Sequence, residues 1–199
     1  MNDASASGAG TSLTLIDRAR SNDQDAWRRL VFLYAPLVAH WCRQRGIRRE
    51  DADDVTQEVF RAVASRLAEF RRDREGDTFR GWLRAVAHSK AADWHRLQSR
   101  QLAEASGGTH AGAVIHNVPD ALENDDDDPQ QLSDLYRRAL ELVRSEFEGR
   151  TWQAFWRVAV DGETTDAVAR ALGLSTASVR QAKSRVLRRL RQELGDLID

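Results

Sequence analysis

The side chains best suited to specific chemistry fall into three polar sets at helical spacing. The first set is acidic: Asp51, Asp54 and Glu58 lie three and four residues apart, so they share one face of a helix. Acids in a first helical turn complement the helix dipole, which accounts for Asp51 but not for Glu58, more than a turn further on. A surface that docks a basic partner accounts for both. Acid–base catalysis is disfavoured, because nothing nearby in the sequence supplies a pocket or a nucleophile.

The second set is polar and basic, and it lies within residues 163–190. Val179, Ala182, Val186 and Leu190 recur three and four residues apart, which predicts a buried stripe along one helix. The side chains suited to nucleic-acid contacts fall largely outside this stripe: Thr176, Ser178, Arg180, Gln181, Lys183, Ser184 and Arg188.

A turn precedes this helix. Gly173 is expected to end the helix before it, since a residue without Cβ adopts the left-handed conformation at no cost. Leu174 is predicted to fill the turn, and Ser175 to cap the second helix. These features predict a helix-turn-helix, whose second helix enters a major groove. An ordinary helical hairpin with a solvated basic face is the alternative; the glycine, the cap and the basic second helix favour DNA binding.

The third set lies in a helix predicted over residues 78–100. Its inner stripe is predicted to contain Phe79, Leu83, Val86, the Lys90 stem, Trp94 and Leu97. The other basic side chains lie elsewhere on the helix: Arg80, Arg84, His88, Arg96 and Arg100. Arginines that follow phosphates and aromatics that support unstacked bases are typical of proteins that bind melted DNA. Taken singly, each tryptophan is better explained as a core residue.

The composition limits the classes to which the protein can belong. The chain has 199 residues, 41% of them hydrophobic and 31% charged, which suits one or two packed domains. It has three prolines and no long alternation of apolar residues, so we expect an all-α fold. The single cysteine, Cys42, excludes an internal disulfide and indicates a reducing compartment. No apolar stretch approaches the ~18 residues of a membrane span, so we expect a cytoplasmic protein without membrane insertion.

The sequence lacks the motifs that would indicate an enzyme. The sequence has no glycine-rich phosphate loop, no metal-ligand cluster and no nucleophile with a base close to it. His40 and Cys42 are two residues apart on a predicted helix, so they point apart and do not form a metal pair. We therefore expect no catalysis, no metal and no cofactor.

Charge is segregated along the chain. Residues 12–100 carry a net charge of +5, residues 101–130 have seven acids and no base, and the rest is net +2. The predicted organisation is a disordered segment 1–11, a helical domain 12–100, a flexible acidic linker 101–130 and a second helical domain 131–199. The first domain is predicted to contain helices over residues 13–20, 23–45, 49–70 and 78–100, with Pro36 interrupting and kinking the second. The linker is hypothesised to mimic nucleic acid.

Four stretches together resemble the extracytoplasmic-function (ECF) type of bacterial RNA polymerase sigma factor. They are LIDRARSNDQDAWRRLVFLYAPLVAH, DADDVTQEVFRAV, FRGWLRAVAHSKAADWHR and the final helix-turn-helix. They cover about four-fifths of the chain in the order of the family. The resemblance implies two helical bundles, like sigma regions 2 and 4, that bind core polymerase and bridge two promoter elements.

The resemblance also implies roles for particular residues. The set expected to dock on the polymerase clamp is Asp51, Asp53, Asp54, Gln57 and Glu58. The set expected to hold melted minus-10 DNA is Arg71, Arg72, Arg74, Arg80, Arg84, His88, Lys90, Arg96 and Arg100. The set expected to read the minus-35 duplex is Ser175, Thr176, Ser178, Arg180, Gln181, Lys183, Ser184 and Arg188. The family usually has a basic residue near Ala182, and Lys183 is one place on, so the promoter sequence does not carry over.

The expected partners are core RNA polymerase and promoter DNA. Members of this family are commonly restrained by an anti-sigma factor or by another switch, such as phosphorylation by a regulatory kinase. The sequence favours neither kind of regulation over the other. The alternative function is a self-standing helix-turn-helix regulator that binds duplex DNA without polymerase. Such a protein has no need of an acidic helix beside a basic, aromatic one.

Overall fold

The computed structural model describes residues 14–71, 77–105 and 128–194, and the elements within them are helical. The prediction of an all-α fold is confirmed over these residues. The α-helices, numbered in chain order, are α1 (Leu15–Arg20), α2 (Gln24–Gln44), α3 (Arg49–Arg66), α4 (Phe79–Ala105), α5 (Pro129–Arg144), α6 (Gly149–Ala159), α7 (Thr165–Leu172) and α8 (Thr176–Leu194). None of these helices is long and apolar enough to cross a membrane.

Several helix ends differ from the prediction. The helix expected over 49–70 ends at Arg66 and is followed by a single 3-10 turn, Leu67–Glu69. The next helix, α4, continues past Arg100 to Ala105, and α5 begins at Pro129, so both ends of the predicted linker are helical. Proline suits a first helical position because the N–H that it lacks has no partner there. Residues 106–127 of the linker and residues 1–13 lie outside the described part of the chain.

Helix α2 continues through Pro36, so the predicted interruption is not observed. Because proline has no N–H, the carbonyl of Phe32 lacks its usual donor within the helix. Nearby, the Nε atom of Arg138 on α5 donates a hydrogen bond to the Leu33 carbonyl at 3.0 Å. Burial lowers the pKa of the Arg138 guanidinium, while Asp134 and Glu141 act in the opposite direction.

The chain divides into two compact units, and each of them contains residues from both halves of the sequence. One unit contains residues 14–27 and 142–194. The other contains the described residues of 28–141. This division differs from the predicted domains 12–100 and 131–199, since α1 contacts α8 and most of α5 belongs with α2, α3 and α4. On α1, Leu15, Ile16 and Ala19 are buried, which gives this short helix an apolar face.

The unit of residues 28–141 has an aromatic and aliphatic core. The predicted core positions of α3 are buried: Ala52, Val55, Val59 and Val63. Tyr34 on α2 packs edge-on against Phe79 on α4, with ring centroids 5.3 Å apart. Phe70 packs on Phe79 and on Trp82, at 5.6 and 5.3 Å. These rings fix the two ends of the segment 71–77, because Phe70 precedes it and Phe79 follows it.

The other unit packs α6, α7 and α8 around a smaller core. One cluster of buried side chains in this core consists of Ala154, Val168, Ala169, Val179 and Ala182. Two ion pairs each link a helix of this unit to a loop residue. Arg157 on α6 makes two contacts of 2.6 Å with Glu163, the residue that leads into α7. Arg189 on α8 contacts both carboxylate oxygens of Glu146, which lies in the loop before α6.

Candidate nucleic-acid interface and acidic docking surface

The turn between α7 and α8 has the geometry that the sequence predicts. Gly173 has φ 63° and ψ 37°, which is the left-handed conformation. The N–H of Leu174 donates to the Ala169 carbonyl at 2.9 Å, and that of Gly173 to the Arg170 carbonyl. These two bonds form a Schellman motif, which satisfies the last carbonyls of α7. The Ser175 hydroxyl accepts the Ser178 N–H at 3.0 Å, so the predicted cap of α8 is confirmed.

Helix α8 presents an apolar stripe inward and a polar face outward. The predicted stripe is confirmed, since Val179, Ala182, Val186 and Leu190 are all buried. On the other side of the helix, five side chains of the predicted DNA-binding set are exposed: Arg180, Gln181, Lys183, Ser184 and Arg188. Thr176 and Ser178 are partly buried, and the Ser178 hydroxyl lies 2.8 Å from that of Ser175. The hydroxyls of Ser175 and Ser178 therefore hydrogen-bond each other at the start of α8, where Ser175 is the cap.

Arg185 is also exposed on α8, although the sequence-based set omits it. It follows Gln181 by four residues and precedes Arg188 by three, so it neighbours both on the helix surface. That spacing is the signal that identifies it.

Helix α3 carries the acidic surface on the side away from its core. Asp53, Asp54, Gln57 and Glu58 are exposed and Asp51 is partly buried. The helix brings these five side chains together, as the spacing predicts. Glu58 also forms an ion pair with Arg61, one turn further on.

The predicted minus-10 side chains of α4 do not share one face. Arg84 lies over the Trp41 ring of α2, with its guanidinium carbon 5.0 Å from the ring centroid. The guanidinium of Arg45 donates to Nδ1 of His88 at 2.9 Å, an acceptor role, because arginine only donates. His95 Nε2 hydrogen-bonds the Arg45 carbonyl at 2.7 Å. Arg84 and His88 therefore help to hold α4 against α2.

The remaining members of this set are distributed more widely. Lys90 is partly buried beside α3, whereas Arg96 and Arg100 are exposed on α4. Arg96 forms an ion pair with Asp93. Arg71 is exposed and Arg80 is partly buried, while Arg72 and Arg74 lie outside the described residues. That all nine residues form one surface for a DNA single strand remains a prediction.

A groove with a volume of about 440 Å³ runs between α3 and α4. Its α3 wall consists of Asp54, Val55, Gln57, Glu58 and Arg61. Its α4 wall consists of Lys90, Asp93, Trp94 and Leu97. Leu97 was expected in the buried stripe, and this prediction is wrong: the side chain is 52% exposed, because the groove is open at its position.

Within residues 14–71, 77–105 and 128–194, no three His, Cys, Asp or Glu side chains are grouped as metal ligands. Cys42 is fully buried in α2, and burial raises the pKa of its thiol to about 11, while a hydrogen bond with Thr56 acts in the opposite direction. A neutral thiol is a poor nucleophile and a poor ligand.

Comparison with known proteins gives matches that extend over nearly the whole chain. Residues 30–101 match the Sigma-70 region 2 family. The ECF RNA polymerase sigma factor SigD of Mycobacterium tuberculosis is 30% identical over 184 residues, which are 90% of this chain and 82% of the relative. The ECF RNA polymerase sigma factor ShbA of Streptomyces griseus is 30% identical over 187 residues, 89% of this chain and 92% of the relative.

Two solved structures are similar in part. CnrH in complex with the cytosolic domain of CnrY has 24% identity and a TM-score of 0.36, over 88% of this chain and 92% of that chain. The RsbN–BldN complex has 19% identity and a TM-score of 0.35, over 89% of this chain and 97% of that chain.

Proposed function

The chain belongs to the ECF family of RNA polymerase sigma factors, and from this premise we propose that it recruits core polymerase through α3 and directs it to promoters through α8 and α4. The single observation that carries the proposal is the acidic surface of α3. Asp53, Asp54 and Glu58 are exposed on a helix whose opposite side is anchored in the core, so the carboxylates are held in fixed positions. Rigid charge on a helix suits a docking contact better than charge on a loop.

The proposed minus-35 reader is the exposed face of α8. Gln181, Ser184 and Arg188 are spaced three and four residues apart, with Arg180 and Arg185 beside them. Glutamine and arginine make two-point contacts with adenine and guanine edges in a major groove, and the flanking arginines suit phosphates. The Schellman turn and the Ser175 cap fix the start of α8 relative to α7.

The proposed minus-10 contacts are made by residues 71–77 together with the exposed parts of α4. Arg71, Arg80, Arg96 and Arg100 are the members of the predicted set that suit phosphate contacts. Melting needs no chemistry from this chain, because binding energy for the unpaired strand offsets the lost base stacking. We propose that the protein acts in the cytoplasm, with core polymerase as the catalyst. An anti-sigma factor or a regulatory kinase is the kind of regulator that family membership implies.

The test is co-elution with purified bacterial core polymerase on a sizing column. The informative variant is Asp54→Arg combined with Glu58→Arg, whose side chains are exposed. A matched control, Glu148→Arg with Asp161→Arg, makes the same change of charge on exposed residues of the other unit. We expect the wild type and the control to co-elute with polymerase and the α3 variant to elute alone, with equal helical content by circular dichroism.

A different outcome identifies the alternative. If the wild type does not bind core polymerase but shifts duplex DNA by itself, the chain acts as a self-standing regulator and the proposal fails. If the control loses binding as well, the effect is one of net charge and α3 is not the dock.

A further inference from the structure

The groove between α3 and α4 combines an exposed apolar wall with an acidic one. Leu97 is 52% exposed and lines the groove next to Trp94, which is partly buried. Single exposed leucines are common on protein surfaces. Leu97 differs from them because it borders a concave site with a second large apolar side chain beside it, and apolar anchors in a concave site are typical of binding surfaces.

The charges of the groove favour a basic occupant. Its lining contains three carboxylates, from Asp54, Glu58 and Asp93, against the cations Arg61 and Lys90. Two ion pairs lie within the lining, Arg61 with Glu58 and Lys90 with Asp93, whose atoms Nζ and Oδ2 are 3.8 Å apart, so the lining has a net charge of −1 and Asp54 belongs to neither pair. The acidic surface of α3 continues from Asp54 at the groove edge. A phosphate-bearing strand is repelled here, whereas a basic segment of a protein is attracted.

We propose that this groove is the apolar part of the polymerase dock. A segment of core polymerase that carries basic side chains on either side of an apolar one lies along it. The apolar side chain packs on Trp94 and Leu97, and the basic ones pair with Asp54 and Glu58. This inference rests on the proposed function, because it takes the α3 surface as the polymerase dock. Its independent support is that Asp54 and Glu58 belong both to that surface and to the groove wall.

This assignment also separates Lys90 from the DNA-binding set. Lys90 lines the groove beside carboxylates of α3 and α4, whereas Arg96 and Arg100 are exposed and do not belong to its lining. An apolar centre with a charged rim is the usual anatomy of a protein–protein interface.

The test compares two exposed leucines of α4. Leu97→Ala removes the groove anchor, and Leu102→Ala is the matched control, since Leu102 is 69% exposed and lies outside the groove lining. Affinity for intact core polymerase is measured by titrating fluorescently labelled full-length chain. We expect Leu97→Ala to weaken binding about tenfold, which corresponds to about 1.4 kcal/mol, and Leu102→Ala to bind within about twofold of the wild type.

Salt separates the apolar contribution from the charged one. The loss in Asp54→Arg with Glu58→Arg should shrink as salt is raised, because exposed charges are screened. The loss in Leu97→Ala should persist at high salt. Leu97→Asp provides a stronger change and should weaken binding more than Leu97→Ala, with urea unfolding verifying that both variants remain folded.

Each result has a distinct meaning. If the wild type does not bind core polymerase, the proposed function itself fails. If the wild type binds and the α3 double variant does not, but both Leu97 variants bind like the wild type, the groove inference is overturned and the dock on α3 stands. Equal losses for Leu97→Ala and Leu102→Ala also overturn it. So does a free chain that self-associates through Leu97 while its affinity for polymerase is unchanged by Leu97→Asp.

Discussion

The left-handed conformation of Gly173 predicts that replacing this glycine with alanine destabilises the fold. A Cβ added at Gly173 would meet no atom within 4 Å, so Gly173→Ala creates no clash. The residue has φ +63°, and a left-handed conformation costs an L-residue about 1–2 kcal/mol. Replacing glycine by alanine also removes freedom from the unfolded chain, which stabilises the fold by about 0.4–1 kcal/mol. The net expectation is a destabilisation of about 1 kcal/mol.

The control is Gly149, the first residue of α6. A Cβ there also meets nothing within 4 Å, but this glycine has no positive φ. Gly149→Ala should therefore be neutral or stabilising, by up to about 1 kcal/mol. Gly173→Asn should cost less than Gly173→Ala, since asparagine tolerates the left-handed region. Urea unfolding at constant m-value measures all three. The reasoning is refuted if the two alanine variants change stability in the same direction, or if asparagine costs as much as alanine.

Two further predictions concern Cys42 and α8. Burial raises the pKa of the Cys42 thiol from its ordinary value of 9.0 to about 11, so this stabilising contribution is complete below pH 9 and is lost as pH rises towards 11. The stability difference between the wild type and Cys42→Ala in urea should shrink over that window; a constant difference contradicts the burial argument. Arg185→Ala should lower the salt dependence of minus-35 DNA binding by about one unit in the log–log slope, because Arg185 is one of the flanking arginines proposed to contact phosphates. Arg144→Ala, an exposed arginine at the end of α5, should leave that slope unchanged.

Local sequence predicts the helix-turn-helix because each of its parts depends on neighbours in the chain. Gly173 ends α7 by its own backbone freedom, and Ser175 caps α8 through a hydrogen bond to Ser178, three residues away. The stripe that starts at Val179 is buried because its spacing matches the helical period. The acidic surface of α3 follows from the same periodicity.

Contacts between distant segments are not predictable in this way. The spacing of α1 shows an apolar face, but not that α8 is the helix it contacts. Arg84 and His88 have side chains suited to nucleic-acid contact, yet they contact Trp41 on α2 and Arg45, the residue just after that helix. A basic side chain on a helix is available to bind phosphate only if it does not contact a neighbouring helix. Whether it does so depends on tertiary packing. The same reason explains Leu97, whose spacing fits the inner stripe while the space opposite it is open.

On α3, residues that pack in the core are next in sequence to residues proposed to bind polymerase. This determines which substitutions can test polymerase binding. Val55 and Val59 are buried towards the core, and Asp54 and Glu58 immediately precede them in sequence on the outer side. A substitution such as Val59→Ala would shift the helix as well as create a cavity, so a loss of polymerase binding would not distinguish a lost contact from a displaced one. Substitutions of the exposed groove side chains Asp54 and Leu97 change the surface and leave the packing of α3 on α4 intact. A difference in affinity between variants at these positions and the Leu102 control therefore reports on contact with polymerase rather than on folding.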